Sequence, residues 1–155
     1  MIRPVLLVLA MAALAASAAS AQTIEKKALS LAAAKKVAAA AEAEAMKNKF
    51  TMSIAVIDDG GFVVYQETMD ETQHGSVGTA LAKARSALFY KRPTKAFEEA
   101  LASGRTGLLA LPDAMPIEGG VPLSVEGKVI GAIGVSGGTS AQDGQIAQVG
   151  AGALQ

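Results

Sequence analysis

The chain has 155 residues, 14 basic and 14 acidic side chains, a single histidine and no cysteine, so its formal charge near neutrality is zero. That balance argues against nucleic acid as a partner, because such proteins carry a clear basic excess, and the lack of thiols excludes disulfides and cysteine-ligated metal centres. The length suits one ordinary domain with its own core, and with no Trp, four Phe and two Tyr, a flat apolar ligand would be held mainly by aliphatic side chains and Met.

At the N-terminus, one positive charge at Arg3 precedes the apolar run Val5 to Ala16, which is too short and too Ala-rich for a membrane span. Ala19-Ser20-Ala21 then fits a small-x-small cleavage pattern. Residues 1–21 are therefore expected to be a cleaved secretory signal and residues 22–155 a single domain, periplasmic or secreted, with no stable membrane insertion after cleavage.

Ser30 is a suitable N-cap for a helix over Leu31 to Met46, since its oxygen can accept an orphan backbone N–H. Ala34, Ala38, Ala41 and Ala45 recur at helical spacing and give a smooth face that could lie close to a sheet. Thr51 to Asp58 and Phe62 to Thr68 flank Asp59-Gly60-Gly61, a hairpin signal. The acids Asp58 and Asp59 read as turn residues, because the other oxygen ligands of a metal site are missing.

Met69 to Ser76 is the most chemically mixed loop, holding a thioether, two carboxylates, hydroxyls and the one imidazole, His74. It leads into Val77, Leu81, Ala84 and Leu88 at helical spacing, with Ser76 as the expected N-cap. A neutral His74 at that helix start could donate a lone pair to a metal, whereas a solvated loop histidine is the plainer reading. Pro93 should end the helix and Thr94 cap the next, Lys95 to Ser103, with Phe89, Tyr90 and Phe97 around the joint. Gly104 to Gly120 reads as a covering loop with one short strand, Gly107 to Leu111, and with Met115 at its edge. No phosphate-binding glycine motif is present, and Asp70, His74 and Ser76 crowd too close in one loop for a hydrolytic triad.

Val121 to Val125 and Val129 to Val135 surround Glu126-Gly127-Lys128 and form the expected central hairpin. Gly131 and Gly134 inside its second strand imply a backbone lying tightly across it, for which the Ala face of the first helix is suited. The corner Ser136 to Ser140 gathers N–H groups beside a helix start and could hold an anion. Ser140-Ala141-Gln142-Asp143 resembles a capping box for a final helix, whose Gly150 and Gly152 suggest close packing or a frayed end.

The order of helix, hairpin, two helices, hairpin and helix argues for an α+β fold. The segment PIEGGVPLSVEGKVIGAIGVSGGTSAQD, with MSIAVIDDGGFVVYQETMD, ALAKARSALFYKRPT and LSLAAAKKVAAAAEAEA before it, resembles the GlcG/HbpS family. These are small haem-binding or haem-degrading domains, also found at the C-terminus of PduO-type proteins. The resemblance implies an α/β sandwich with a profilin-like, mainly antiparallel sheet of about five strands, and assembly into homo-oligomers. It also implies non-covalent haem binding, for scavenging, buffering or sensing, in a cleft between the Met69 to Ser76 loop and the Phe89 to Thr94 joint.

On that reading His74 is the axial metal ligand, and Met69, Phe89, Tyr90, Arg92 and Thr94 belong to the same cofactor site. Arg85, Lys91 and Arg92 are cations for the propionates, and Tyr90 and Met115 are further iron candidates. Many relatives carry Arg before the Met-Asp pair, but Thr68 stands there in this chain, so that arginine's role does not transfer. A corrinoid such as cobalamin, a haem-degrading activity, or a ligand-free subunit that buries the glycine-rich surface in an oligomer are the alternatives.

Overall fold

A computed structural model describes residues 22–154, so the leader expected over residues 1–21 lies outside the described residues. The elements are α1 (Leu31–Lys47), β1 (Ser53–Asp58), β2 (Val63–Thr68), α2 (Gly75–Tyr90), α3 (Lys95–Ala102), β3 (Gly120–Val125), β4 (Lys128–Ser136) and α4 (Ser140–Gly152). The described strands form one antiparallel sheet in the order β2-β1-β4-β3, which is two hairpins joined along β1 and β4. The fold is α+β, as the element order implied, with four described strands in place of about five. The segment expected as the fifth is a 3-10 helix, Thr106–Ala110. Both hydrogen-bonding groups of Gly120, at the outer edge of β3, are engaged by Thr94, at 3.0 and 2.9 Å, which blocks that edge where pairing would start.

Alternation along β1 and β4 sends side chains to two different layers. Ile54, Val56, Ile133 and Val135 join the larger core with α1 and α4, while Ile57 and Ala132 meet Ala84, Ala87 and Leu88 of α2 on the other face. A Cβ added at Gly134 would lie 2.0 Å from the Ala80 carbonyl oxygen and 2.6 Å from the Ala84 nitrogen, so the backbone of α2 presses directly on β4. The expected close approach is real, but the helix responsible is α2. The Ala face of α1 instead packs with α4, where a Cβ at Gly150 would come within 3.0 Å of the Ala41 Cβ. The glycine-rich strand is therefore covered within the chain and is not a surface on which an oligomer could be built.

Ser30 caps α1 as expected, its hydroxyl accepting from the Ala33 N–H at 3.1 Å. At α2 the N-cap is His74, with no side-chain cap bond, and Ser76 faces inward and is buried. The capping box of α4 sits one residue earlier than expected. Thr139 accepts from the Gln142 N–H at 3.3 Å, and the Gln142 side chain accepts from the Thr139 N–H at 2.9 Å. Asp58 is a turn residue, accepting from the Gly60 and Phe62 N–H groups at 2.9 Å each.

Candidate functional site

Helix α2 has two unlike faces. Ser76, Ala80, Lys83, Ala84 and Ala87 are buried against the sheet. At 3.6 residues per turn, His74, Gly78, Ala82, Arg85 and Phe89 follow one another along the opposite, outward face. This outward face is the floor of a groove of about 360 Å³, formed by Gly78, Leu81, Ala82 and Arg85, with Asp113, Ala114 and Met115 as its wall. The wall is fastened to the helix twice. The Met115 N–H donates to the buried Ser86 hydroxyl at 3.0 Å, and the Tyr90 hydroxyl donates to the Pro112 carbonyl at 2.5 Å.

The residues expected at the site divide into two groups. His74 is exposed where the outward face begins, and Phe89 is exposed where it ends. Arg85 lies between them, its Nε donating to the Gly61 carbonyl at 3.4 Å. The others are placed elsewhere. Met69 packs, half-buried, against the core on the α1 side of the sheet. Tyr90 is turned to the side of α2 and makes an edge contact with Phe97, 5.1 Å between ring centroids, while Arg92 lies over the same Phe97 ring at 5.5 Å. Thr94 is fully buried at the edge of β3. The groove along α2 beneath the Asp113 to Met115 wall thus shares a helix face with His74, Arg85 and Phe89, and does not bring Met69, Arg92 or Thr94 to them. Neighbours in sequence on a helix point about 100° apart, which is why Phe89 and Tyr90 part company.

Beneath the groove floor lies a buried ion pair that the sequence reading missed. Lys83 Nζ is 2.6 Å from Asp143 Oδ2 and 3.1 Å from the Val135 carbonyl, with side-chain exposures of 1% and 3% for the pair. Asp143 Oδ1 accepts from the Gly138 N–H at 2.9 Å, so the corner expected to hold an anion is filled by the chain's own carboxylate. Burial pushes the Asp143 carboxyl above its ordinary value, against the opposing pull of Lys83 and of the Gly138 N–H. A signal for this pair was present, since Lys83 falls on the same helical face as Ala80, Ala84 and Ala87. Among the described residues no group of three or more His, Cys, Asp or Glu side chains is placed to hold a metal ion.

The family described as "Haem degrading protein HbpS-like" matches residues 29–152. Protein GlcG of Escherichia coli strain K12 is 43% identical over 111 residues, covering 72% of this chain and 83% of GlcG. A crystal structure of a double mutant of Streptomyces reticuli HbpS superposes with a TM-score of 0.80 at 31% identity, over 89% of this chain and 94% of that one. A crystal structure of a PduOC:heme complex superposes with a TM-score of 0.75 at 26% identity, over 82% of this chain and 95% of that one. The match runs through both hairpins and all four described helices, including Lys83, Asp143 and the helix that forms the groove floor, and the chain belongs to the HbpS-like family.

Proposed function

We propose that this is an exported, homo-oligomeric protein that binds haem non-covalently in the groove along α2, with the His74 imidazole as the iron ligand from this chain. The observation that carries the reading is the composition of the floor: a Cβ built at Gly78 meets nothing within 4 Å, and Ala82 follows one turn on, so a flat ring has room to lie against the helix. Leu81 and Met115 supply apolar flanks, and Arg85 supplies a cation for a carboxylate beyond the ring edge. Bound haem would contribute coordination and redox chemistry at iron, and this chain's share is to seat it, orient it and partly screen it from water. The Met115 main chain is fastened to Ser86, which holds the Met115 side of the groove against the helix.

The test is an absorption titration of the purified protein with hemin, beside His74→Ala and Gly78→Leu. A saturating Soret shift in the parent, altered by the first variant and abolished by the second, is the expected result. Equal titration by all three proteins would sink the assignment of the groove. Decay of the Soret band with release of iron after a reductant is added would identify turnover, and saturable binding of hydroxocobalamin with no response to hemin would favour the corrinoid alternative.

A further inference from the structure

The two outer edges of the sheet are treated differently. On β3 the outward positions are Gly120, Pro122 and Ser124, because the Val135 N–H donates to the Gly119 carbonyl and the pattern alternates from there. Gly120 is engaged by Thr94 and Pro122 has no N–H to offer, so this edge is closed to pairing. On β2 the Met69 N–H donates to the Met52 carbonyl, and by the same alternation the main-chain groups of Gln66 and Thr68 point away from β1, as far as the register shift at Val64. Among the described residues no main-chain or side-chain partner meets them. The β2 sequence, Val-Val-Tyr-Gln-Glu-Thr, contains neither Pro nor Lys to discourage pairing, and its one bulge, at Val64, leaves Tyr65 to Thr68 as a regular edge.

Helix α1 flanks that open edge with a stripe that matches itself. Leu31, Lys35, Glu42 and Met46 share one side of the helix, and the contact of Lys35 Nζ with the Tyr65 ring, 6.0 Å from its centroid, shows that this side faces β2. Leu31 and Met46 are exposed apolar residues at its two ends. Set antiparallel to a copy of itself, the stripe brings Leu31 to the partner's Met46 and Lys35 to the partner's Glu42, and each contact occurs twice. A two-fold axis at Gln66 does the same for the strand, pairing Gln66 with its own copy and Tyr65 with the partner's Glu67 on the regular side of the bulge at Val64, with no like charges opposed.

We propose that the β2 edge and the Leu31–Met46 side of α1 form an isologous interface with a second copy of this chain, which joins two four-stranded sheets into one of eight strands. The inference does not depend on haem. The chain has no cysteine, so Gln66→Cys introduces a single thiol whose only counterpart near the axis is its own copy. Residues directly opposed in an antiparallel hydrogen-bonded pair have Cα atoms about 5.5 Å apart, within disulfide reach.

The experiment combines sedimentation velocity of the purified protein with mild oxidation. The expected results are an even-numbered assembly, a covalent dimer from Gln66→Cys, and none from the control Ser124→Cys on the opposite edge. Gln66→Pro, which removes an outward N–H and leaves the β1 ladder intact, should halve the assembly's mass. Glu42→Lys should weaken association by about ten-fold through like-charge contacts, and the exchange Lys35→Glu with Glu42→Lys should restore it. If Gln66→Pro does not fold, the charge exchange and the cross-link decide the matter alone. A monomer at about 50 μM, in the range that matters for micromolar association, would overturn the proposal. So would an assembly indifferent to Glu42→Lys and without a Gln66→Cys cross-link.

Discussion

Lys83→Met removes a buried charge while keeping its aliphatic bulk. It leaves the Asp143 carboxyl with a 3% exposed side chain, one main-chain donor at Gly138 and no cation. Breaking a buried pair from one side typically costs about 3–5 kcal/mol. Against the 5–15 kcal/mol or so that holds an ordinary domain together, that is a large fraction. With a urea dependence of about 1–3 kcal/mol per molar, the unfolding midpoint should fall by roughly 2 M. The double variant Lys83→Met with Asp143→Asn should recover much of the loss, because a neutral amide oxygen can still accept from Gly138 without a stranded charge.

The pH dependence follows from the same site. Burial already holds the Asp143 carboxyl above its ordinary value, and removing Lys83 takes away one of the influences opposing it. A carboxyl raised in the folded state takes its proton there first, so its contribution to stability is full below the unfolded value and is lost as pH rises through the folded one. The deficit of Lys83→Met is therefore expected to shrink on acidification toward about pH 4, and the double variant should show no such slope from this site. Chemical denaturation across that range checks both points. A single variant within about 1 kcal/mol of the parent at neutral pH, or a double no more stable than the single, would refute the reasoning.

Three further outcomes are expected. Gly134→Ala forces a methyl group against the α2 backbone and should cost about 3 kcal/mol or more, read as a fall in thermal midpoint. Gly78→Ala, mid-helix and with open space around the new methyl, should instead raise stability by about 0.5–1 kcal/mol in the same assay. Thr94→Val leaves the Gly120 N–H unpaired in a buried place and should cost about 1–3 kcal/mol, accompanied by faster amide exchange at Gly120.

Most elements could be read from the sequence because their signals are local. Ser30 capped α1 as expected, and Asp58 with its two following glycines turned the first hairpin. The glycines of β4 correctly announced a close backbone, but nothing local distinguishes which Ala-bearing helix supplies it, since α1 and α2 both carry small residues at helical spacing. The capping box slipped by one because Ser140 and Thr139 are chemically alike as caps and only geometry separates them.

The site was harder to read. A loop rich in hydroxyls and carboxylates suggested that function would gather there, but direction is set by helical phase. That phase brought forward Gly78 and Arg85, turned Tyr90 to the side, and sent Lys83 inward to a partner sixty residues away. Met69 went to the opposite layer because β2 delivers its end to the α1 side of the sheet.

The order of the strands also sets how the chain must assemble in time. Each hairpin closes a turn of only a few residues, so β1 with β2 and β3 with β4 can form on the microsecond scale. The ladder that unites them pairs Ser53 with Ser136 and Asp58 with Gly131, across roughly seventy to eighty residues of intervening chain. Closure of that ladder is the natural slow step of folding. Until it occurs, β4 has one bare edge, and α2 can rest Ala80 and Ala84 on Gly134 but lacks Ile57 of β1, which completes its contact with Ala84, Ala87 and Leu88. The groove floor is thus among the last surfaces to become ordered, and a ligand that needs it can find its seat only after the two halves of the sheet have met.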